Sequence, residues 1–497
     1  MTIRVMYSGL FFFLVGIITI ITGLVFMLIV TRSLIPQEFG TLTLINGLIF
    51  YVTLIQPITS YWVLREVARG EKSATTGIFS SVIFSSFGIL LFLILSFFVS
   101  EQTDASREVL FFATIMIPVL FLNDVFLAIN LGFKPHIASL GKLVLEISKI
   151  PLVIIFVYFL DFGVQGVILA VTFAYIPSIL LLGYSAREKI LRGIKLEFIK
   201  KWIKLSWIPL YPGIYSLLRN LDVLIFTLIT GSTFGLAYYG AALSVSSLIM
   251  QSTSISSAVY PKLLSENKSD YLHDTITKMI YFAIPLFAIS LTFGRPGLFT
   301  LNPLYEIGFP LVIIMTMKFT LMTFSRAFEN FLKGIENVDQ NPNSTFKNYA
   351  LSKLFTIPTF RLIQNLIYLI LLIVILILLS SDHSEFELLI YWAILGLFSV
   401  IPITLYLIIS VKNNFKIGLN LKPILKYLIV SVFVFIPLFI LSEKYLEYDD
   451  ELAKFLPNLL LYVLIGIVSY AILTYLIDSK TKKFYNSIIH EITKKMK

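Results

Sequence analysis

Runs of about twenty consecutive apolar residues dominate this sequence, and a helix of that length crosses the roughly 30 Å hydrocarbon core of a bilayer. Hydrophobic residues make up 57% of the chain and charged residues 14%, a balance outside the range of soluble domains. The sequence therefore predicts an all-α polytopic membrane protein. The fourteen predicted transmembrane helices lie near residues 9–30, 41–62, 77–99, 109–130, 137–160, 163–185, 206–230, 234–257, 274–294, 309–332, 362–380, 386–410, 424–442 and 455–477.

The distribution of positive charge predicts the orientation of these spans. If the N-terminus is inside, most of the 39 Lys and Arg residues fall in inner connections, and the outer connections are short and poor in cations. Cations concentrate on the cytoplasmic side of membrane proteins, so both termini are predicted to be cytoplasmic in a plasma-membrane protein. This topology explains the net charge of +10 without a nucleic-acid partner. The first apolar run is too long for a cleaved signal peptide and is predicted to be an uncleaved span.

A basic segment divides the spans into groups of six, six and two. This segment, AREKILRGIKLEFIKKWIK (186–204), predicts an amphipathic helix on the anionic inner leaflet, with a solvated linker as the alternative. Phe39-Gly40 opens the second span and Tyr239-Gly240 the eighth, which predicts a duplicated six-helix unit in parallel orientation. The predicted domains are a six-helix lobe (1–185), the cytoplasmic amphipathic linker (186–205), a second six-helix lobe (206–411), two accessory transmembrane helices (412–477) and a basic cytoplasmic tail (478–497).

Eight ionisable residues lie well inside the predicted spans. A charge at the bilayer centre costs about 2.5–3.5 kcal/mol on insertion scales, so each is a candidate functional residue. The cations suit an anionic substrate such as a phosphate or diphosphate head group; they are Arg219, Lys318, Lys149 and Arg326. The carboxylates suit a coupling ion (H⁺ or Na⁺) or pairing with the cations; they are Asp222, Asp124, Glu146 and Glu329.

Spacing offers a simpler role for six of these residues. Pairs at positions i and i+3, here 146/149, 219/222 and 326/329, share one helix face and can neutralise each other during packing. Lys318 has no acidic neighbour within two turns of its own helix. It therefore needs a partner from another helix or an anionic ligand. Pro209, Pro212 and Gly213 are the candidate hinge of the seventh span.

Catalytic motifs are missing from the sequence. There is no phosphate-binding glycine loop, no nucleophile motif and no cysteine, and the four histidines are scattered. The sequence therefore predicts no metal site, no cofactor and no enzymatic activity.

Two stretches resemble a family of transporters. IVTRSLIPQEFGTLTL (29–44) with VLREVARGE (63–71), and LRNLDVLIFTLITGSTFGLAYYGAALS (218–244), are similar to Wzx-type flippases of the multidrug/oligosaccharidyl-lipid/polysaccharide (MOP) exporter superfamily. The resemblance implies two six-helix lobes around a central cavity that alternately opens to each side. It also implies that Arg219 contacts a diphosphate and that Asp222 positions Arg219.

The substrate implied by the resemblance is a polyprenyl-(di)phosphate-linked oligosaccharide. It would move from the inner to the outer leaflet for assembly of cell-surface polysaccharide or glycoprotein glycans. Membrane lipids and glycosyltransferases of the same pathway are the implied partners. Two alternatives stay open, a MATE-like ion-coupled antiporter of small molecules and a membrane glycan polymerase or ligase.

Overall fold

The computed structural model describes residues 18–19, 22–190, 193–253, 270–334, 346–415, 421–483 and 485–486, and these contain helices but no strand. The prediction of an all-α polytopic membrane protein is therefore confirmed. The start of the predicted first span and most of the predicted tail lie outside these ranges. The helices are α1 (Thr22–Ser33), α2 (Pro36–Thr53), α3 (Pro57–Ala68), α4 (Ala74–Gln102), α5 (Arg107–Phe133), α6 (Pro135–Val153), α7 (Gly163–Ile190), α8 (Leu196–Lys204), α9 (Trp207–Thr230), α10 (Phe234–Ser246), α11 (Asp270–Thr292), α12 (Gly294–Leu301), α13 (Phe309–Gly334), α14 (Phe346–Leu351), α15 (Lys353–Leu379), α16 (Glu385–Phe415), α17 (Leu421–Tyr445) and α18 (Leu452–Ile477).

Nine helices of the described part are long and apolar enough to cross a membrane, and two bent helix pairs raise this number to eleven. The other predicted spans coincide with α1, with α10 and its 3₁₀ extension, and with the charged helix α6. Every predicted span thus overlaps a helix. The number of crossings and the cytoplasmic position of the termini stay predictions.

Prolines cause the two sharp bends. The axis turns by 58° between α2 and α3 and by 66° between α11 and α12. Pro57 begins α3, and Pro296 lies in the first turn of α12. A proline has no N–H to donate to the carbonyl four residues earlier, and its ring clashes with that carbonyl. A single straight helix through either point would therefore leave a backbone oxygen without a partner.

The chain divides into two compact units, residues 1–240 with 373–385, and residues 241–372 with 386–497. The first unit has a core cluster at the ends of α3, α4, α5 and α7 that includes Trp62, Val125 and Trp202. In the second unit, a larger cluster packs α11, α13 and α16 against α17 and α18. The predicted lobes, residues 1–185 and 206–411, stay a prediction from the sequence repeat.

Helix α8, in the predicted linker, is fixed to the first unit by a buried carboxylate. Glu66 of α3 is 2% exposed and accepts hydrogen bonds from Lys201 Nζ (2.9 Å) and Trp202 Nε1 (3.3 Å). The Trp202 side chain is itself buried. Upstream, the backbone N–H of Lys195 donates to Thr76 Oγ1 at 3.0 Å. Trp202 of this helix is thus packed against protein, whereas Leu196 and Ile203 are exposed.

The two repeated glycines lie in one helix contact of the first unit. A Cβ on Gly40 of α2 would overlap the carbonyl oxygen of Thr233, directly before α10. Conversely, a Cβ on Gly240 of α10 would lie 2.9 Å from Thr43 Oγ1 and 3.2 Å from the Phe39 ring. Each of these glycines therefore lets backbone or side-chain atoms of the other segment approach closely.

Candidate functional site

Helix α9 carries the first group of candidate residues, and Gly231 ends this helix with φ = +70°. Asp222 is 4% exposed, and its Oδ1 accepts the backbone N–H of Val223 at 2.9 Å. Two buried tyrosines, Tyr51 of α2 and Tyr239 of α10, lie close enough to interact electrostatically with Asp222. Arg219 also acts electrostatically on Tyr239. Arg219 and Asp222 therefore both lie within electrostatic range of one phenol on another helix.

The candidate hinge residues occupy the first two turns of α9. Pro209 and Gly213 lie in continuous helix, as does Pro212, whose side chain is outside the described part of the structure. The position of a Cβ on Gly213 is 3.6 Å from Leu54 Cδ2. Because Leu54 lies in the break between α2 and α3, this part of α9 faces the bend of that helix pair.

A polar cluster lies among α3, α5, α6 and α7. Asp124 of α5 accepts a hydrogen bond from the Ser60 hydroxyl and interacts with Lys142 of α6. Tyr175 of α7 interacts electrostatically with both Asp124 and Glu146. The first unit therefore brings two of the predicted carboxylates within electrostatic range of one half-buried tyrosine.

The Glu146 and Lys149 side chains form an ion pair. Lys149 Nζ lies 2.7 Å from Glu146 Oε1, and each side chain is 18% exposed. The same ammonium lies 5.9 Å from the centroid of the Phe26 ring of α1. Lys149 is thus held by its own helix and by the face of an aromatic ring.

Glu329 pairs with cations that lie further along the chain than Arg326. Its carboxylate accepts from Lys333 Nζ at 2.7 Å and from Arg361 Nε at 2.7 Å. Arg361 Nη2 also donates to Ser325 Oγ at 3.0 Å. Because Arg361 comes from α15, this network connects α13 to a second helix of the same unit. Arg361, which the sequence placed among inner-connection cations, is therefore a residue that sequence reasoning missed.

Lys318 lies against the backbone of α16. A Cβ built on Gly396 would be 2.8 Å from Lys318 Nζ, 3.3 Å from Cε and 3.6 Å from Cδ. The side chain is half-buried and lies near the middle of its predicted span. The Lys318 side chain therefore extends to a stretch of helix backbone that a glycine leaves open, and the partner or anionic ligand predicted for its ammonium stays a prediction.

An apolar groove of about 780 Å³ lies in the second unit, between α11, α13 and α17. Five phenylalanines contribute to its walls, and its side-chain polar groups are three hydroxyls, on Thr292, Thr320 and Ser431. The phenylalanines are Phe287, Phe309, Phe324, Phe435 and Phe439. The sequence predicted α17 as an accessory helix without assigning it a role. The groove suits a hydrocarbon chain.

Among the described residues, no group of three or more His, Asp or Glu side chains could hold a metal ion. The described part of this polytopic membrane protein therefore combines buried charges with an apolar groove.

The fold is similar to that of solved MOP superfamily structures, which confirms at the level of fold the resemblance found in the sequence. A solved structure of the lipid II flippase MurJ in an inward closed conformation matches 96% of this chain and 99% of its own, with 15% identity and a TM-score of 0.66. An inward-facing multidrug resistance MATE family transporter of the MOP superfamily matches 80% of this chain and 95% of its own, with 16% identity and a TM-score of 0.59.

A further MATE structure, in complex with MaD3S, matches 81% of this chain and 94% of its own, with 16% identity and a TM-score of 0.52. No protein-family model and no curated protein sequence matches the chain. These structural neighbours are transporters and flippases rather than enzymes.

Proposed function

We propose that the protein is a flippase for a polyprenyl-(di)phosphate-linked oligosaccharide, moving it from the inner to the outer leaflet by alternating access. The observation that carries this proposal is the two-sided character of α13. Its groove side chains are Phe309, Ile313, Thr320 and Phe324. At about 100° per residue, Lys318 lies on the opposite side of the helix. One helix thus presents hydrocarbon-binding surface on one side and a cation on the other.

This arrangement fits the chemistry of a lipid-linked sugar. Its isoprenoid tail packs favourably in an apolar groove, whereas its phosphate groups need compensating positive charge wherever water is excluded. In this proposal, Lys318 and Arg219 supply that charge near the middle of their spans, and Lys149 and Arg326 supply it along the path. Asp222 orients Arg219. Pro209, Pro212 and Gly213 allow the start of α9 to bend as access alternates.

The lengths of the structural matches support a flippase over an antiporter. The MurJ structure aligns with 96% of this chain and the MATE structure with 80%. In this chain, α17 forms one wall of the apolar groove. A transported molecule with a long hydrocarbon tail needs such a groove, and a compact organic cation does not.

In this proposal, the protein resides in the plasma membrane with both termini in the cytoplasm. Glycosyltransferases of the same pathway make the substrate on the cytoplasmic side, in the inner leaflet. The carboxylates Asp124, Glu146 and Glu329 are candidates for a coupling H⁺ or Na⁺. Glu146 and Glu329 are ion-paired at 2.7 Å with lysine or arginine, whereas Asp124 accepts a hydrogen bond from Ser60 and interacts with Lys142.

Purified protein in liposomes tests the function directly. A fluorescent lipid-linked oligosaccharide is placed in both leaflets, and a membrane-impermeant reductant then bleaches the outer leaflet. Transport is expected to make all of the fluorophore accessible without any change in substrate mass. A change in mass would indicate the polymerase or ligase alternative. If protein-free and protein-containing liposomes bleach to the same extent, the proposed substrate is wrong.

The half-buried carboxylates Asp124 and Glu146 of the first unit favour a second candidate, an ion-coupled antiporter of small molecules. Asp124 and Glu146 both approach Tyr175, and such an acidic, aromatic cluster could attract an organic cation. The discriminating measurement is efflux of a fluorescent organic cation from the same liposomes under an imposed H⁺ or Na⁺ gradient. Efflux without lipid transport would favour the antiporter, because the flippase proposal expects the opposite result.

A further inference from the structure

Gly396 has an unusual neighbour for a glycine in a membrane-spanning helix. It lies eleven residues into α16, about 16 Å along the helix axis from Glu385, and Lys318 extends toward it from α13. The nearest atom to a Cβ at this position is the ammonium nitrogen of Lys318, at 2.8 Å, followed by its Cε at 3.3 Å. The space that any larger residue would fill is therefore occupied by the charged end of this lysine.

The identity of the crowded atom determines what a substitution would do. A methyl group on Gly40 would meet a backbone carbonyl, which cannot move without moving the chain. A methyl group on Gly396 would meet the far end of a flexible side chain, and lysine can turn about four side-chain bonds. Alanine at position 396 should therefore preserve the fold and displace the ammonium.

We propose that Gly396 is a positioning residue: by leaving room against α16, it sets where the Lys318 ammonium meets the phosphate of the transported lipid. This inference rests on the proposed function, in which Lys318 compensates the substrate's negative charge. It adds a residue that carries no charge and that the sequence did not distinguish from other glycines of membrane helices. It also predicts that the effects of changes at 396 and 318 are coupled.

The expected effect is large because the membrane interior screens charge weakly. In a medium of low dielectric constant, each ångström added between two opposite charges weakens their attraction by much more than it does in water. Misplacement of a binding group by about 1 Å can reduce rates by up to about 100-fold in enzymes, and we expect roughly a tenfold loss of flipping here. The loss should appear in Gly396→Ala although no charged atom has been removed.

The experiment compares wild type, Gly396→Ala, Lys318→Ala and the double variant in the liposome assay. Gly88→Ala is the matched control, because its Cβ would lie 2.7 Å from Val52 Cγ1, a similar overlap but with an apolar atom. Thermal unfolding of each purified variant reports on the fold. A second readout follows acylation of Lys318 by an amine-specific reagent, quantified by peptide mass spectrometry, with the exposed Lys454 as the internal reference.

The proposal expects Gly396→Ala to flip as slowly as Lys318→Ala, the double variant to be no slower, and the acylation rate of Lys318 alone to change. Normal flipping by Gly396→Ala, losses that multiply in the double variant, or a similar loss in Gly88→Ala would each overturn it. If Lys318→Ala flips normally, Gly396 has no transport role through this lysine. If wild type flips no lipid-linked oligosaccharide, the proposed function has failed. An unchanged acylation rate at Lys318 in Gly396→Ala would then separately refute the positioning.

Discussion

Replacing Glu329 with Gln should destabilise the second unit far more than a comparable change at the surface. The Glu329 side chain is 8% exposed and contacts two cations, Lys333 and Arg361, each at 2.7 Å. The Arg361 side chain is 12% exposed, so it has little access to water. Glutamine keeps the shape of the side chain but removes the charge that compensates both partners.

The magnitude follows from what remains after the substitution. Removing one member of a buried ion pair typically costs about 3–5 kcal/mol, because the other charge stays buried without compensation. Lys333 is 24% exposed and can extend its ammonium toward the head groups, whereas Arg361 cannot follow it easily. Removing the arginine as well should therefore recover much of the loss, and Glu329→Gln with Arg361→Gln should be more stable than Glu329→Gln alone.

Thermal unfolding of detergent-purified protein measures this effect, and the expected order of midpoints is wild type, then the double variant, then Glu329→Gln. Glu101→Gln is the control, because the Arg107–Glu101 pair is about half exposed and such pairs contribute at most about 1 kcal/mol. If Glu329→Gln unfolds at the same temperature as the control, the network does not stabilise the unit. If the double variant is the least stable, the penalty does not come from uncompensated charge.

Three further substitutions have definite expected outcomes. Burial alone would raise the pKa of Asp478, but hydrogen bonds from the following turn and from a buried tyrosine hold it below its usual range. The stability it adds is thus complete above the unfolded-state pKa near 4 and is lost as pH falls through the lower folded-state pKa. Acid unfolding curves of Asp478→Asn should be flatter below about pH 4 than those of wild type. Glu66→Ala leaves the indole N–H of Trp202 without its acceptor, which costs about 1–3 kcal/mol of stability. Limited trypsin digestion should therefore cut the linker faster in this variant than in wild type. Equal digestion rates would contradict the contact. Gly40→Ala should lower the yield of folded protein in size-exclusion profiles, whereas Gly47→Ala, whose Cβ would have its nearest neighbour at 3.6 Å, should match wild type.

Local patterns in the sequence predicted the helices well, because the bilayer imposes both a length and a composition on each span. Contacts between helices were not predictable in the same way. Spacing along one helix offered Arg326 as the partner of Glu329, yet the structure brings in Arg361 from 32 residues away. Similarly, the electrostatic interaction of Tyr239 with Asp222 depends on where α10 lies relative to α9. A single sequence contains no signal for such pairings, since many polar residues could satisfy a buried charge equally well.

The two sides of α13 suit different parts of a transported molecule. A compact cation would gain nothing from the apolar groove, and Lys318 would repel it from the other side of the same helix. A free sugar phosphate would suit the lysine but leave the groove to ordinary membrane lipid. A molecule with an anionic head group and a long hydrocarbon tail uses both surfaces, with its tail in the lipid-like groove and its phosphate on the side of Lys318 and Gly396. Because one helix separates the two surfaces, head group and tail would take separate paths, and the bilayer would keep the tail while the head group crosses.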